Sequence, residues 1–454
     1  MKTDREGEDG QKMRTVAYHN LGCKVNSYEM DAMMQALREK GYQVVPFEEK
    51  ADIYIVNTCT VTNIADRKSR QMLHKAKKTN PEGIVVAVGC YVQSDTQAVR
   101  EDEAVDLIIG NNRKKDLVTI LENYLEGVEQ ESVIDINHTS EYEEMRLTST
   151  AEHTRAYIKI QDGCNQFCTY CMIPYARGRV RSRRKSDVIE EIKGLAAAGY
   201  KEFVLTGIHI SSYGIDFKEE QENLLTLVQA IDALDGVERL RLGSLEPRIV
   251  TREFAGSLSE LKSICPHFHL SLQSGCETVL KRMNRHYTPE EYLDGVGFLR
   301  EAFDHPAITT DVIVGFPGET QEEFEITRQF AESVHFYEMH IFKYSKRKGT
   351  KAAAMPDQIS EDTKAKRSGA LQLIEARDSR DFRAFYIGSS VEVLFEEKKE
   401  IKGKKYWIGH TREYVKAALA DSHKDGMVSL NLQNRLITGK IKGFLEDEIL
   451  IIEM

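Results

Sequence analysis

The chain has 454 residues, 41% hydrophobic and 30% charged, which is enough material for two to four packed domains. No apolar run is long enough to cross a bilayer, and the N-terminal residues show no signal or transit pattern, so we expect a cytoplasmic protein without membrane association. A net charge of −10 excludes nucleic-acid binding through the overall field, so any RNA partner must be held by local basic patches.

The first segment, residues 14–126, alternates short β runs with amphipathic helical stretches. This alternation predicts βαβ units and a parallel, doubly wound sheet of the flavodoxin or Rossmann type. The predicted strands are Thr15–His19, Gln43–Val45, Ile53–Asn57, Ile84–Val88 and Val105–Ile109, and the clearest helices are Tyr28–Lys40 and Asn63–Lys78. Residues 127–149 are polar and rich in glutamate, and we interpret them as a linker with one strand at Val133–Ile136.

The second segment, residues 150–382, repeats a strand and a helix six times. Six such repeats predict an α/β domain built as a partial (β/α)6 barrel, with its active site at the carboxyl ends of the strands. The predicted strands are Ala156–Gln161, Glu202–Thr206, Arg239–Gly243, His267–Leu272, Ile308–Val314 and His335–Lys343. The helices between them include Asp187–Ala198, Leu224–Leu234, Pro289–Phe303 and Gln321–Ser333, and a long charged helix at Ser360–Phe385 closes the segment.

The tail, residues 383–449, changes to short alternating runs separated by turn residues. Five short strands predict a small β-barrel of the oligonucleotide-binding type. These strands are Val391–Phe395, Lys405–Gly409, Tyr414–Ala417, Met427–Leu432 and Leu436–Ile441. The single tryptophan, Trp407, is expected in the core of that barrel.

Three cysteines follow the first strand of the second segment with the spacing CxxxCxxC: Cys164, Cys168 and Cys171. Thiolates are the ligands that iron–sulfur clusters select, and a short loop with this spacing can hold three irons of a [4Fe–4S] cubane. With no fourth cysteine nearby, one iron stays open for a chelating ligand. A zinc site would need a second ligand pair, which does not follow.

Another three cysteines each follow a predicted strand of the first segment: Cys23, Cys59 and Cys90. The carboxyl ends of strands in an open parallel sheet face one crevice, so these thiols can hold a second [4Fe–4S] cluster. Buried structural cysteines are the competing interpretation, because cysteine is often buried near strands. The remaining Cys265 and Cys276 show no partner pattern and are expected to be structural thiols.

The loop around Cys164, Cys168 and Cys171 resembles the signature of the radical S-adenosylmethionine superfamily, including the aromatic Tyr170 before the third cysteine. The resemblance implies that the open iron chelates S-adenosylmethionine and that reduction releases a 5′-deoxyadenosyl radical. It also implies further cofactor-binding residues at the ends of later strands, where ordinary βα turns are the alternative. These residues are Gly207 and His209 after the second strand, Ser244 and Glu246 after the third, and Gly315 in the motif Gly315–Glu319.

The whole arrangement resembles the methylthiotransferases. The motifs Leu21–Glu29, Asn57–Thr62 and Phe342–Arg347 are similar to the bacterial branch that modifies threonylcarbamoyladenosine, 3′ of the anticodon in tRNA. In this family one cluster activates a C–H bond and the other handles sulfur, with two molecules of S-adenosylmethionine used. The resemblance implies a tRNA anticodon stem-loop as substrate and an electron donor such as flavodoxin or ferredoxin.

Three alternatives stay open. The same chemistry could act on isopentenyladenosine in tRNA or on a ribosomal-protein aspartate, and a non-enzymatic iron–sulfur RNA-binding module is the alternative from another class.

Two basic stretches are candidates for RNA contact. The first, Arg177–Lys185, follows the radical loop, and the family resemblance singles out Arg177, Arg181 and Arg183. Such charge beside an active site is suited to backbone phosphates, although a solvated charged surface is the usual explanation. The second lies in the tail, which resembles the small barrel called TRAM, where Lys405 and Arg412 are the candidates.

Overall fold

The computed structural model describes residues 13–128, 130–149, 154–218, 222–421 and 431–454. Its first five strands are β1 (Thr15–Asn20), β2 (Gln43–Val45), β3 (Ile53–Thr58), β4 (Ile84–Gly89) and β5 (Leu107–Ile109). They form one parallel sheet in the order β2-β1-β3-β4-β5, the flavodoxin-like order that the alternating pattern predicts. The helices of this region are α1 (Lys24–Glu39), α2 (Asn63–Thr79), α3 (Cys90–Ser94), α4 (Thr96–Arg100) and α5 (Leu117–Leu125).

Helices cover both faces of this first sheet, so its strands are apolar on both sides. Ile55 and Val86 pack into one core, and their neighbours Val56 and Ala87 pack into the core on the other face. All six residues of β3 are buried, as expected for a central parallel strand.

The segment after the first sheet corrects the linker prediction. Residues 133–136 form no strand, and a 3-10 turn at Ile136–His138 stands there instead. The segment is also packed rather than free, since Met145 and Leu147 join the core of the first sheet. The Tyr28 hydroxyl donates to the Met145 carbonyl at 2.5 Å. Short apolar runs do not distinguish a strand from a segment that packs irregularly against another core.

The second region begins with β6 (Arg155–Lys159) and a small hairpin of β7 (Gln161–Asp162) and β8 (Arg181–Ser182). It continues with strands β9 (Glu202–Thr206), β10 (Arg239–Leu242), β11 (His267–His269), β12 (Ala307–Val314) and β13 (Glu338–Lys343). Its helices are α6 (Ile173–Arg177), α7 (Lys185–Ala197), α8 (Leu224–Asp232), α9 (Arg252–Ser259), α10 (Glu277–Arg282), α11 (Pro289–Ala302), α12 (Gln321–Val334) and α13 (Glu361–Ala384).

Six strands of this region lie side by side in chain order, from β6 through β9, β10, β11 and β12 to β13. All their ladders are parallel, and isolated parallel bridges such as Leu245 to Leu270 join the two halves. The helices pack on one face through a large apolar core. Polar side chains occupy the other, helix-free face, which we call the inner face. These six strands and their helices form the predicted six-repeat α/β domain. Helix α1 of the first region packs beside β6.

The tail closes on itself as a barrel of strands β14 (Ser390–Ile401), β15 (Lys404–His410), β16 (Lys416–Ala420), β17 (Arg435–Glu446) and β18 (Ile449–Glu453). The order is β14-β15-β16-β18-β17. The predicted strand Met427–Leu432 lies mostly outside the described residues. The strand that completes the barrel is β18, so the barrel extends beyond the predicted boundary at residue 449. Trp407 is buried in its core, as expected.

The hairpin between β15 and β16 docks the barrel on the second region, at the amino ends of its strands. The ring of Tyr414 contacts two guanidinium groups, with its centre 4.7 Å from that of Arg155 and 4.8 Å from that of Arg241, and it stacks on the His410 ring at 4.5 Å. Both arginines also pair with the buried carboxylate of Glu202, each through Nε at 2.8 Å.

None of the helices in the described ranges combines the length and apolar character needed to span a bilayer.

Candidate active site

Cys23, Cys59 and Cys90 lie at the carboxyl ends of three neighbouring strands. Cys23 caps α1 after β1, Cys59 directly follows β3, and Cys90 begins α3 directly after β4. Cys59 and Cys90 are buried, whereas Cys23 is reached by solvent. The sequence therefore placed all three thiols correctly on one edge of the sheet.

Gly22 shapes the cradle around this first cysteine group. Its φ is +111°, a region that residues with a Cβ rarely adopt. A Cβ at this position would lie 2.8 Å from Nδ2 of Asn26 and 3.2 Å from Cβ of Cys59. The absence of a side chain at Gly22 thus lets the loop carrying Cys23 approach Cys59.

The three thiols of this group act on one another. Burial raises the pKa of Cys59 to about 11, and the neighbouring thiols of Cys90 and Cys23 contribute to that rise. Three cysteines on one edge, one for each iron, are the kind of ligand set that a [4Fe–4S] cluster takes.

Cys164, Cys168 and Cys171 lie on the loop between β7 and α6. Burial raises the pKa of Cys164 to about 11 and that of Cys171 to about 12, and in both cases the Cys168 thiol adds to the effect. Backbone N–H groups point at the sulfurs: that of Gln166 donates to Cys164 at 3.5 Å and that of Ile173 to Cys171 at 3.4 Å. Such N–H donors stabilise cluster-bound thiolates.

Arg285, which the sequence did not single out, completes this cysteine group. Its guanidinium donates to Sγ of Cys168 at 3.3 Å and lies 4.9 Å from the centre of the Tyr287 ring. It reaches the loop from the segment after α10, 117 residues away in the chain. No local pattern in the sequence signals such a contact.

Arg177 joins the two cysteine groups. It is fully buried at the end of α6, six residues after Cys171. Its Nε donates to Sγ of Cys90 at 3.2 Å, and its other nitrogens donate to Glu29 at 2.8 and 2.9 Å and to Asp162 at 3.1 Å. Because Glu29 belongs to the first region and Asp162 to the second, one side chain fixes both regions and touches a candidate cluster ligand.

The carboxylate of Glu29 is the centre of a buried charge network. Lys114 donates to it at 2.5 Å, Lys159 at 2.7 Å and Arg177 at 2.8 Å. Burial alone would raise the pKa of Glu29, but these three cations hold it well below its usual range. Leaving any one partner of such a network uncompensated is strongly destabilising. The network thus locks the orientation of the two regions.

The structure corrects the predicted RNA contacts of the first basic stretch. Arg177, Arg181 and Arg183 are each no more than 1% exposed. Arg181 donates to the carbonyls of Arg177 and Arg179, and Arg183 pairs with Glu144 and Glu191. Side chains committed to buried carboxylates and carbonyls are not available to phosphates. A run of arginines in the sequence does not reveal that its partner groups lie elsewhere in the chain.

The two predicted RNA residues of the tail differ from each other. Lys405 is exposed on β15. Arg412 donates to the carbonyls of Lys262 and Ile264, both at 2.7 Å, so it holds the barrel to the second region. An RNA contact by the guanidinium of Arg412 is therefore not supported, whereas Lys405 stays a candidate.

Two of the predicted cofactor residues, His209 and Glu246, lie close to the radical loop. Burial lowers the pKa of His209 to about 4, against the opposing charge of Glu246, so the imidazole is neutral at physiological pH. Its Nδ1 lies 2.6 Å from Oγ of Ser212, and its backbone N–H donates to Gln161. After burial and Cys168, the charge of Glu246 also helps to raise the pKa of the Cys164 thiol.

Gly207 and Ser244 lie at the same edge. A Cβ on Gly207 would stand 3.0 Å from the carbonyl oxygen of Gln161, so the turn passes tightly over β7. The hydroxyl of Ser244 lies 2.8 Å from that of Ser271 at the end of the next strand. The structure therefore brings Gly207 beside the strand that leads into the radical loop, and Ser244 to the carboxyl end of β10.

Tyr170 and the glycine motif are neighbours. The Tyr170 ring meets Phe316 edge-on at 6.4 Å, directly after Gly315. Gly315 has φ +72°, and a Cβ there would lie 2.3 Å from Cγ of Lys364. Its N–H donates to Glu319 at 2.7 Å, and Glu319 pairs with Arg367. Helix α13 thus fixes the glycine loop against the aromatic residue of the cysteine loop.

The motif Phe342–Arg347 reaches back to the first region. Arg347 is almost fully buried and donates to Thr60 at 2.6 Å and to Asn63 at 2.8 Å, and it pairs with Asp66. Thr60 directly follows Cys59. This contact is a second connection between the two regions, from the loop after β13 to the residues that follow Cys59. Cys265 and Cys276 are buried outside both groups, as expected.

Comparison with known families is consistent with this geometry. The radical SAM superfamily matches residues 158–331, and the uncharacterized protein family UPF0004 matches residues 15–110. Among solved structures, the radical S-adenosylmethionine methyltransferase TsrM from Kitasatospora setae, with cobalamin and a [4Fe-4S] cluster bound, superimposes with a TM-score of 0.56. It is 16% identical and covers 73% of this chain and 75% of that chain, a likeness of fold alone.

Relatives of known activity align over most of the chain. Threonylcarbamoyladenosine tRNA methylthiotransferase MtaB of Bacillus subtilis is 42% identical, across 89% of this chain and 90% of the relative. The protein of the same name from Aquifex aeolicus is 40% identical, across 86% and 95%. The tRNA-2-methylthio-N(6)-dimethylallyladenosine synthase of Pelotomaculum thermopropionicum is 34% identical, across 88% and 90%.

Proposed function

Because the chain belongs to the radical S-adenosylmethionine methylthiotransferase family, we propose that it converts N6-threonylcarbamoyladenosine in tRNA to its 2-methylthio form. Two relatives that carry this activity in their names, at 42% and 40% identity, are more similar to the chain than the dimethylallyladenosine enzyme at 34%. The observation that carries the proposal is structural: Arg177 follows the radical loop and touches Cys90, so two cysteine groups meet at one interface.

Each cysteine group suits a [4Fe–4S] cluster with one open iron, through Cys164, Cys168 and Cys171 and through Cys23, Cys59 and Cys90. When bound, the first cluster supplies the electron that cleaves S-adenosylmethionine, and the second holds the sulfur that is transferred. The protein's own part is to place the two groups at a fixed separation. Arg177, Glu29 and Arg347 do so without a hinge, because all three are buried in paired contacts.

The predicted cofactor residues, which form a rim in this proposal, bind and orient S-adenosylmethionine. Neutral His209 and the hydroxyl of Ser244 offer hydrogen bonds beside Cys164, and the Glu246 carboxylate suits ribose hydroxyls. Tyr170 and Gly315 form the opposite side of the rim.

The proposal also assigns a role to each part of the chain and names its binding partners. The division proposed is residues 14–126 for sulfur handling, 127–149 as a connecting segment, 150–382 for radical chemistry and 383–453 as a TRAM-like RNA-binding barrel. The anticodon stem-loop of tRNA would contact the tail through exposed residues such as Lys405. A flavodoxin or ferredoxin would supply electrons.

The proposal is tested by comparing the tRNA nucleosides of cells with and without the gene. Loss of 2-methylthio-N6-threonylcarbamoyladenosine, with its unmethylthiolated precursor accumulating, is the expected result. An unchanged profile for this nucleoside, with loss of a methylthio isopentenyladenosine instead, would assign the chain to the other substrate.

A further inference from the structure

A group of three polar side chains on the inner face lies outside the cofactor rim and takes no part in binding either cluster or S-adenosylmethionine in the proposed function. His269 on β11, Asp311 on β12 and His340 on β13 have ligand atoms that all lie within 4.8 Å of one another. Asp311 and His340 are direct partners in the β12–β13 register. Their chain neighbours Phe268, Val312 and Met339 pack against the helices, so strand alternation turns the trio to the inner face.

The members of this trio are not equivalent. His269 is held on both sides, with Nδ1 3.0 Å from Oγ1 of Thr309 and Nε2 3.4 Å from Oδ2 of Asp311. His340 is exposed on the inner face, and its ring stacks on that of His269 at 5.9 Å. The trio therefore offers one carboxylate acceptor held by His269 and one exposed imidazole on the inner face.

The trio also lies within reach of the reacting centre. Ser271 stands two residues beyond His269 on the same face and contacts Ser244 at the cofactor rim. Two residues of a strand span about 7 Å. Burial lowers the pKa of His267 at the amino end of the same strand, and Lys24, the neighbour of Cys23, is among the cations that add to this effect. The first region therefore also approaches this face.

The chemistry of the trio itself favours a hydrogen-bonding group. Arg155, Arg239 and Arg241 lie at the amino ends of the strands, where they pair with Glu202 and with barrel carboxylates, so the trio supplies the donor and the acceptor. An apolar substituent would leave Asp311 and His340 unpaired, and buried polar groups without partners cost binding energy. A threonylcarbamoyl group carries a carboxylate that needs donors, and hydroxyl and N–H groups that need an acceptor.

We propose that His340 and Asp311 form the subsite for the threonylcarbamoyl side chain, with His340 donating to its carboxylate and Asp311 accepting from its hydroxyl or N–H groups. His269 positions Asp311. This inference rests on the proposed function, since it names the part of the proposed substrate that these residues would bind. It assigns substrate selection to β12 and β13, away from both clusters.

The test measures binding rather than turnover, so it can be read even if no methylthiolated product forms. Anaerobic holoenzyme with S-adenosylmethionine is titrated with two anticodon stem-loops, one carrying threonylcarbamoyladenosine and one carrying its carboxyl methyl ester. The wild type should bind the acid roughly ten- to a hundredfold more tightly than the ester, as expected for a hydrogen bond to a charged group. Equal Kd values would overturn the proposal.

Variants separate the two roles. His340→Phe should remove the preference for the acid, and His340→Gln, which keeps a donor, should restore part of it. Asp311→Asn should weaken both stem-loops about equally and leave their ratio intact. His138→Phe, which changes an exposed histidine in the connecting segment, is the matched control and should behave as wild type.

Two results would contradict this assignment. One is an acid-to-ester ratio that His340→Phe leaves unchanged while iron content and thermal stability stay at wild-type values. The other is one divalent metal ion per purified chain that His340→Phe removes, because the trio would then be a metal site.

Discussion

Nε of Arg177 lies 3.2 Å from Sγ of Cys90, so a side chain of the second region touches a thiol of the first region. The same guanidinium pairs with Glu29 and Asp162, one on each side of the interface. A planar group with five donors in a fixed fork can satisfy all of these acceptors at once. The distance between the two cysteine groups is therefore set by a buried ion pair and not by a flexible linker.

Arg177→Lys should weaken this interface although it keeps the positive charge. A lysine cannot serve Cys90, Glu29 and Asp162 together, so buried acceptors are left unpaired, with an expected loss of roughly 3 to 5 kcal/mol of stability. Thermal unfolding should show a lower midpoint, and iron analysis a lower content. Arg179→Lys, at an exposed arginine two residues away, should change neither quantity; an equal effect of both variants would refute the bridging role.

Gly22→Ala should disturb the cysteine cradle specifically. The new Cβ would press on Asn26 and Cys59, and the positive φ adds strain. Gly41 provides the matched comparison because it also has a positive φ, +85°, but open space around it. Gly41→Ala should cost about 1 kcal/mol with full iron content, whereas Gly22→Ala should lose about half of the iron. Full iron in Gly22→Ala would show that the cradle is not needed.

Tyr414→Ala should loosen the tail barrel from the second region. It removes the ring that contacts Arg155 and Arg241, and two desolvated cation–π contacts are worth roughly 2 to 4 kcal/mol together. Tyr414→Phe keeps the ring and loses only the hydrogen bond from Arg155, worth about 1 kcal/mol. Trp407 is the sole tryptophan and lies in the barrel core, so its fluorescence reports the transition directly. Equal midpoints for the two variants would argue against the ring contacts.

Glu202 should make this docking sensitive to acid. Burial opposes its ionisation, but Arg241 and Arg155 lower its pKa from 4.5 to about 2. Because the folded pKa lies below the unfolded one, the stabilisation is complete above pH 4.5 and is lost as the pH falls toward 2. The stability difference between wild type and Glu202→Gln should shrink by about 3 kcal/mol over that window. Urea titration of the metal-free chain, followed by Trp407 fluorescence, measures it, and a constant difference would contradict the assignment.

The sequence was sufficient for the elements that carry local signals. The cysteines at strand ends were placed correctly because parallel strands deliver their carboxyl ends to one edge. Contacts between distant residues were not predictable. Arg177 looked like part of a basic RNA-binding run because its acceptor Glu29 lies 148 residues away, and Arg285 carries no local pattern that points to Cys168. The strand Ile449–Glu453 was missed although its antiparallel pairing with β17 is local; its second pairing, with β16, closes the barrel and is non-local.

The most direct test of the account uses one reaction with two proteins. Reconstituted wild type and Cys59→Ala are given S-adenosylmethionine, dithionite and an anticodon stem-loop carrying threonylcarbamoyladenosine, and the products are quantified by mass spectrometry. Wild type should form both 5′-deoxyadenosine and the 2-methylthio nucleoside. Cys59→Ala should still form 5′-deoxyadenosine and no 2-methylthio nucleoside, because only the cysteine group of the first sheet is broken. A 2-methylthio product from Cys59→Ala, or none from wild type, would contradict the division of labour between the two clusters.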